Sequence, residues 1–249
     1  MSRLRFILLF GAIAGLATSP AQAFILAPEQ LLRLMVEARL ATKQRDMSLQ
    51  LTTYLAGRDQ PVEERLYLKR PERSRLVQQD EPVQVAVERE GIAAGGPEGS
   101  LRTLPGPTHN LLPLLLFPKG PTVDDMVGRI LAGLRAIGID VTVGSLGHQG
   151  EAVAYIIGAR SWEPDRPQIW LDKVNYQPVR LISQIIEAGG PPHRRELRLL
   201  DYGQGPGGPT LPQFFEELRD GQRQRRAEVT GVHFNQSLPE TLFEWSRRR

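Results

Sequence analysis

The octet Glu64–Pro71, with the sequence ERLYLKRP, has the pattern of a β-strand that ends on a cation and a proline. Leu66 and Leu68 alternate with polar or amphipathic neighbours, which makes one face of the strand apolar. The same period of two recurs on either side, in Leu49–Leu55 and in Val83–Val87. Alternation of this kind, with short turns between the runs, is typical of an antiparallel meander that buries one face.

More alternating runs follow in the second half of the chain, and together with the first ones they predict about ten strands in an α+β, mainly β fold. The predicted strands of this half are Ile139–Gly144, Ala152–Gly158, Gln168–Val174, Val179–Ile186, Arg194–Tyr202, Phe214–Leu218 and Ala227–Asn235. The segment Gly147–Gly150 is predicted as the turn between the first two of these strands.

Two substantial helices are predicted. Pro28–Ala41 has apolar residues at helical spacing and therefore one apolar face. Thr122–Ile137 carries more signals: Thr122 is a good N-cap, acidic residues follow in the first turn, and Gly138 comes directly after the last turn. Its wide apolar stripe needs a sheet face or the mouth of a cavity to lie on.

The segment Gly91–Gly120 interrupts the strand pattern, because it is rich in glycine and proline. Inside it lies the run LLPLLLF, Leu111–Phe117, which is too apolar for an open loop. It is either a short segment that covers the core or a movable lid whose apolar side faces a ligand cavity. Pro113 lacks a backbone N–H donor and should prevent one long rigid helix. The residues of the predicted lid are Leu111, Leu112, Leu114, Leu115, Leu116 and Phe117.

The N-terminus has the pattern of a secretory signal peptide. Two arginines come first, Phe6–Leu16 is apolar, and Ala21–Ala23 is a small-x-small cleavage site. The alternative is a membrane anchor, but the apolar core is shorter than the ~20 residues that a bilayer span needs. We therefore expect residues 1–23 to be removed before Phe24 and the domain 24–249 to be periplasmic.

The sequence lacks the residues and spacings on which most catalytic and metal sites are built. There is no cysteine, which excludes disulfides, thiolate metal sites and a cysteine nucleophile. The four histidines are far apart, and neither an HExxH nor a G-x-S-x-G motif occurs. Gly203–Gly208 lacks the lysine and the following helix of a phosphate loop. We expect no catalytic residue, no metal and no cofactor, and therefore a protein that is not an enzyme.

The charge pattern argues against a nucleic-acid partner. The formal net charge is only +3, and two of the positive charges belong to the predicted signal peptide. Aromatic residues are few and are not interleaved with a basic face, as they are in proteins that bind single strands. We expect no binding of nucleic acid.

Three pieces of the chain resemble the LolA-like family of outer-membrane lipoprotein-sorting proteins. Leu66–Pro71 resembles the apolar-aromatic-apolar-Lys-Arg-Pro end of a strand in that family. Ile169–Lys173, followed by Pro178–Arg180, is similar to one of its hairpins, and Asn235–Phe243 resembles its closing segment. The order and spacing of the three pieces agree with the family across nearly the whole predicted domain.

This resemblance implies an incomplete antiparallel β-barrel, a curved sheet around an apolar cavity that helices cover. It also implies a periplasmic carrier that binds the acyl chains of a lipoprotein or another lipid and moves it towards the outer membrane. Its partners would be that lipid and transfer proteins of the inner and outer membranes. On one face of four strands, the predicted cavity residues are Leu49, Leu51, Leu66, Leu68, Val83, Val85, Ile169 and Leu171.

By position, Arg70 matches the strand-end arginine of the family, which is thought to hydrogen-bond the lid when the carrier is empty. The resemblance thus implies a latch at Arg70, whereas the simpler alternative is a salt bridge at the end of a strand. Two other functions compete with that of a carrier. One is an envelope-stress sensor or adaptor, in which the same fold binds a partner protein. The other is a secreted hydrolase whose site has no recognisable motif.

Overall fold

The computed structural model describes most of the chain after the predicted signal peptide. The described residues are 25–40, 45–69, 73–78, 84–88, 91–95, 101–102, 108–118, 120–186, 190–204 and 210–243. The predicted signal peptide, the predicted latch Arg70 and the predicted cavity residue Val83 lie outside them.

The described residues form one antiparallel sheet of thirteen strands, about three more than the sequence predicts. The strands are β1 (Asp46–Leu55), β2 (Val62–Lys69), β3 (Arg73–Gln78), β4 (Gln84–Glu88), β5 (Gly91–Gly95), β6 (Leu101–Arg102), β7 (Gly144–Gln149), β8 (Ala152–Ile157), β9 (Gln168–Asp172), β10 (Pro178–Ile186), β11 (Pro192–Gln204), β12 (Thr210–Arg219) and β13 (Gln222–Phe234). Their order is β6-β5-β4-β3-β2-β1-β13-β12-β11-β10-β9-β8-β7. Two meanders are thus joined where β1 pairs with β13.

In the part of the chain that the structure describes, three α-helices accompany the sheet: α1 (Pro28–Leu40), α2 (Thr108–Leu116) and α3 (Val123–Ala136). The predicted signals of α3 are confirmed, since the hydroxyl of Thr122 accepts the N–H of Asp125 at 3.1 Å. Gly138 follows this helix with φ of +83°, a conformation that suits glycine. Within the described part of the chain, no helix has both the length and the apolar character needed to cross a membrane.

The sheet is strongly curved. Helix α2 contacts both β3 and β10, although five strands lie between them in the sheet order. In a flat sheet with a strand spacing of about 4.8 Å, β3 and β10 would be about 29 Å apart. A nine-residue helix is only about 14 Å long. The sheet must therefore curl around α2. Among the described strands β6 and β7 lie at the two edges and do not pair with each other, so the barrel stays open. The predicted fold class is confirmed.

Two local predictions are wrong. Ile139–Gly144 is not a strand, because the carboxylate of Asp140 accepts the N–H of Thr142 at 3.1 Å and its hydroxyl at 2.6 Å. Such side-chain bonds stabilise a turn in place of a ladder. Strand β7 therefore begins at Gly144 and includes most of the predicted turn Gly147–Gly150.

The predicted interruption Gly91–Gly120 contains regular structure. Strands β5 and β6 extend the sheet there, and the apolar run continues as α2. The helix continues through Pro113. The N–H that proline lacks costs this short helix only one backbone hydrogen bond. It ends after nine residues, so the expectation that no long helix forms agrees with the structure.

The C-terminal segment lies across the first three strands, on the face away from the helices. The carboxylate of Asp46 accepts the N–H of Gln236 at 2.7 Å. Lys69 donates to the carbonyl of Leu238, and Arg75 donates to the carbonyl of Leu242. The last described residues of this segment form a 3-10 helix, Glu240–Phe243.

Candidate functional site

The face of the sheet that the helices cover, here called the inner face, is apolar over its central part. Leucine, isoleucine and phenylalanine side chains from β1, β2 and β9–β12 belong to one buried cluster. It includes six of the eight predicted cavity residues: Leu49, Leu51, Leu66, Leu68, Ile169 and Leu171. Of Val85 the structure describes the backbone in β4. The ligand-binding role of this set stays a prediction.

The three helices supply the other half of the cluster. α1 contributes Leu31, Leu32, Met35 and Val36, and α3 contributes Met126, Val127, Ile130 and Leu134. α1 packs against α3, and an exposed ion pair of 2.5 Å between Arg33 and Asp124 joins their outer sides. Together α1 and α3 cover part of the inner face, and α2 packs against α3 beside them.

Helix α2 places its apolar side chains into this cluster. Of the predicted lid residues, Leu114 is half-buried, and the buried ones are Leu111, Leu112, Leu115, Leu116 and Phe117. Leu111 reaches α3 at Gly133, where an added Cβ would lie 2.4 Å from its Cδ2 atom. Gly133 is therefore a notch that allows α2 to seat closely on α3.

At one end of the inner face the lining becomes charged. Glu64 on β2 is buried and accepts the hydroxyl of Thr53 at 2.5 Å and a hydrogen bond from Arg225. The guanidinium of Arg225 also lies 3.3 Å from Glu217, and Glu217 pairs with Arg195 at 2.9 Å. Two carboxylates and two guanidiniums thus form a balanced network, here called the inner network.

The pKa of Arg225 reflects this network. Burial alone would lower the pKa of the guanidinium, but the neighbouring carboxylates of Glu217 and Glu64 outweigh it and raise the pKa above its ordinary value. The charge is therefore retained inside the protein. A cavity of about 190 Å³ opens at the same end, between Ile185, Arg195 and Leu218 among others.

The opposite end of the inner face carries a buried arginine from α1. Arg39 donates to the carbonyl of Thr210 at 3.2 Å, and its guanidinium lies 5.7 Å from the ring centroid of Tyr202. The hydroxyl of Tyr202 in turn donates to the carbonyl of Pro178 at 2.5 Å. Burial raises the pKa of this hydroxyl, so it stays protonated and acts as a donor.

The alternation of the strands does not predict the inner network, although the sequence carries a signal for it. Asp220-Gly221 is a two-residue hairpin turn signal. Strands extended from it place Glu217 opposite Arg225, given one extra residue at the bulge beside Leu218. Opposite charges at paired positions indicate an ion pair. Arg223, Arg225 and Arg226 therefore belong to strand β13, and Arg225 points into the inner network.

Comparison with solved structures identifies the fold. The chain is similar to a putative outer membrane lipoprotein-sorting protein domain from Vibrio parahaemolyticus, with a TM-score of 0.51 and 11% identity over 87% of this chain and 97% of that one. It is equally similar to a DUF1329 family protein from Desulfovibrio piger, with a TM-score of 0.52 and 13% identity over 88% and 97%. A LolA superfamily protein from Nitrosomonas europaea gives a TM-score of 0.48 and 12% identity over 88% and 98%.

The first two likenesses cover 97% of each compared chain, so this chain shares the fold of that lipoprotein-sorting domain and of the DUF1329 protein. The resemblance that three short sequence pieces indicate is thereby confirmed at the level of the fold. No family model matches the sequence, and no curated protein matches it either.

Proposed function

We propose that the protein is a periplasmic carrier that holds the acyl chains of a lipoprotein or another lipid against its inner face and moves it towards the outer membrane. One observation carries this proposal: a short apolar helix, α2, covers the apolar inner face of an open, curled sheet. The shared fold with a lipoprotein-sorting domain supports it.

The energetics favour exchange between α2 and a lipid chain. Burial of an acyl chain contributes about 0.8 kcal/mol per CH₂ group. Exposure of the α2 leucines would cost about 1.5–3 kcal/mol for each fully buried side chain. An empty protein therefore keeps α2 on the sheet. When a lipid enters, its chain replaces α2 on the inner face, and the cost of opening is offset.

The polar end of such a lipid also has a counterpart. The inner network and the cavity beside Arg195 lie at one end of the apolar cluster. An amphiphile with its chain on the apolar part of the inner face would place its head group near these charges. Head groups that accept hydrogen bonds suit guanidinium donors.

The proposal includes export. Residues 1–23 are the signal peptide in this account, and the mature chain begins at Phe24. The intact mass of the protein recovered from the periplasm tests this step. A mass that still includes residues 1–23 would mean a membrane anchor in place of a soluble carrier.

Two glycines of α3 provide a matched test of the lid. Gly133→Ala adds a methyl group 2.4 Å from Leu111 and so loosens the seat of α2, whereas the position of a Cβ at Gly128 is open space. Both changes improve helix propensity by up to about 1 kcal/mol. We expect G133A to take up a dansyl-labelled long-chain fatty acid faster than the wild type and G128A to leave the rate unchanged.

The same experiment can contradict the proposal. If the wild type shows no saturable binding of the labelled fatty acid and carries no lipid by mass spectrometry when isolated from the periplasm, the carrier function is wrong. A stoichiometric protein complex with no lipid would instead favour an envelope-stress sensor or adaptor. If binding occurs but G133A and G128A behave alike, the lid role of α2 fails while the carrier function stands.

Arg70 stays the predicted latch. In the proposal it donates a hydrogen bond to a carbonyl of the lid in the empty protein. A hydrogen bond to a charged group contributes about 1.5–3 kcal/mol, which shifts the ratio of closed to open states by tenfold or more. Arg70→Leu should therefore increase hydrogen exchange across residues 108–118 in the absence of lipid. Equal exchange in the wild type and the variant would exclude the latch.

A further inference from the structure

The face of the sheet away from the helices, here called the outer face, carries a dense group of arginines on β10, β11 and β13. Their positions follow from the register: Arg180 pairs with Arg198 across β10 and β11, and Glu216 lies between Arg198 and Arg226. The group, here called the arginine face, consists of Arg180, Arg194, Arg198, Arg223 and Arg226.

A buried carboxylate orients three of these arginines. Glu196 is only 1% exposed and accepts hydrogen bonds from Arg180 at 2.8 Å, Arg194 at 2.6 Å and Arg198 at 2.6 Å. Burial alone would raise the pKa of Glu196, but the bonds from Arg180 and Arg198 outweigh it and lower the pKa below its ordinary value. The carboxylate is thus a charged anchor beneath the guanidiniums.

Glu216 anchors the rest in the same way. Its carboxylate lies 3.2 Å from Arg226, 3.5 Å from Arg223 and 3.9 Å from Arg198, and it is buried. Five guanidiniums therefore cover two buried carboxylates, and solvent meets an excess of positive charge. The exposed carboxylates of Asp165, Asp220 and Glu228 lie at the margins of the arginine face, Asp220 beside the backbone N–H of Arg194, so the positive charge is concentrated at the centre of the group.

Two guanidiniums of the arginine face lie over aromatic rings. The guanidinium of Arg180 lies 5.0 Å from the ring centroid of Trp170, and that of Arg226 lies 4.5 Å from the centroid of Phe214. A guanidinium stacked on a ring is pre-organised and loses little conformational freedom when it binds an anion.

A second, independent feature borders the arginine face. Trp162 lies in the loop between β8 and β9 and is 77% exposed, which is unusual for a side chain of this size. The same loop contacts the arginine face, since the carboxylate of Asp165 lies 3.4 Å from the Nε atom of Arg194. An exposed indole beside a basic surface has the character of side chains at the boundary between a membrane and water.

We propose that the arginine face and Trp162 dock the protein on the surface of a bilayer that contains anionic phospholipid. The guanidiniums would bind lipid phosphates, and the indole would enter the head-group layer. An acidic protein partner fits the charge but gives no role to a solitary exposed tryptophan on the adjoining loop. The proposal concerns the outer face and does not depend on what the inner face binds.

Flotation with two kinds of vesicle tests the proposal. One kind contains phosphatidylcholine with phosphatidylglycerol, and the other contains phosphatidylcholine alone. We expect the mature protein to float with the anionic vesicles and not with the neutral ones, and to dissociate as the ionic strength rises to ~0.15 M and beyond, where the Debye length is about 8 Å or less. Failure to bind anionic vesicles even at low salt would overturn the proposal.

Charge variants show which surface is used. Arg223→Gln with Arg226→Gln removes two of the most exposed members of the group and leaves Arg198 beside Glu216. This variant should bind anionic vesicles about thirtyfold more weakly, the effect expected of two basic residues at an anionic surface. The control is Arg45→Gln with Arg135→Gln, which changes two exposed arginines outside the arginine face. The two double variants have the same net charge, but the control should bind like the wild type.

Tryptophan fluorescence reports on the docking itself. Binding should shift the emission of Trp162 to the blue, and Trp162→Phe should abolish the shift while most of the affinity remains. Equal binding by the two charge variants would mean that net charge alone is responsible, and the site would be rejected. If the protein binds a polyglutamate peptide but does not bind anionic vesicles, the arginine face belongs to an acidic protein partner and the bilayer is excluded.

Discussion

Strands β10–β13 carry charged side chains on both of their faces, and the two faces arrange them differently. On the inner face, Arg225 lies between Glu64 and Glu217, and Glu217 also meets Arg195, so positive and negative charges balance. On the outer face, five guanidiniums cover two carboxylates. Both clusters are built from arginine and glutamate, but only the outer one has more guanidiniums than carboxylates in contact with each other.

The difference follows from solvent. The inner network adjoins the apolar cluster, where an unpaired charge would lose its hydration without compensation, so each charge needs an opposite neighbour. On the outer face, Arg223 and Arg226 reach water, which screens the surplus at little cost. Paired charge is therefore a requirement of the interior, whereas water tolerates the unequal cluster on the outer face. This cluster is the one that we propose to bind an anionic bilayer.

The largest effect that separates the faces should come from Arg225→Met. The change leaves the carboxylates of Glu64 and Glu217 with less compensation inside the protein, and we expect a loss of about 3–5 kcal/mol in the free energy of unfolding. Urea denaturation measures it. Arg223→Met on the outer face of the same strand should cost less than about 1 kcal/mol. Equal losses would show that the inner network is as well solvated as the arginine face.

A second variant checks the cause of that loss. Glu64→Gln combined with Arg225→Met neutralises one of the carboxylates that have lost their arginine partner, so the double variant should be more stable than Arg225→Met alone. If it is less stable, the loss comes from packing of the Arg225 side chain and not from uncompensated charge.

The next effect concerns the apolar part of the inner face. Leu68 on β2 is 0% exposed, and Leu68→Ala should cost about 2–5 kcal/mol, since it deletes buried methyl groups and leaves a cavity. Tyr54 on β1 points to the outer face and is 51% exposed, so Tyr54→Ala should change the free energy of unfolding by no more than about 0.5 kcal/mol. Thermal denaturation of both variants compares the faces directly; a Leu68→Ala protein as stable as Tyr54→Ala would mean that the inner face is loosely packed and already open.

The apolar residues of the inner face can largely be predicted from the sequence. Period-two alternation is a local property, so it predicts which residues of β1, β2 and β9 share a face, and the helix signals around Thr122 predict the extent of α3. The strand order is not local: the pairing of β1 with β13 joins residues far apart in the chain.

The charged half is harder to predict for a physical reason. A single extra residue beside Leu218 decides whether Arg225 or its neighbour faces inward, because a shift of one residue exchanges the faces of a strand. Alternation alone does not reveal such a bulge. The turn at Asp140 is similar, since two side-chain hydrogen bonds there override an apparent strand pattern.

A smaller effect is expected when the anchor of the arginine face is neutralised. Glu196→Gln leaves Arg180, Arg194 and Arg198 without their shared carboxylate, but these side chains are partly exposed and can turn to water. We expect a loss of about 1 kcal/mol in urea denaturation, the net value of an ordinary hydrogen bond. Glu64→Gln in the inner network should cost more, because Arg225 cannot turn to water. The reverse order would place the outer anchor, and not the inner one, in the drier environment.

The smallest effect is a dependence on pH that belongs to the same anchor. The pKa of Glu196 lies below its ordinary value of 4.5 in the folded protein, since the bonds from Arg180 and Arg198 outweigh burial. A carboxylate with a lowered folded pKa stabilises the protein fully above its ordinary pKa, and this stabilisation is lost as the pH falls through the folded value. The free energy of unfolding should therefore decline below pH 4.5 more steeply in the wild type than in Glu196→Gln, and the two curves should converge in acid. Parallel curves across this range would mean that Glu196 has the same pKa in the folded and unfolded chains and does not anchor the arginine face electrostatically.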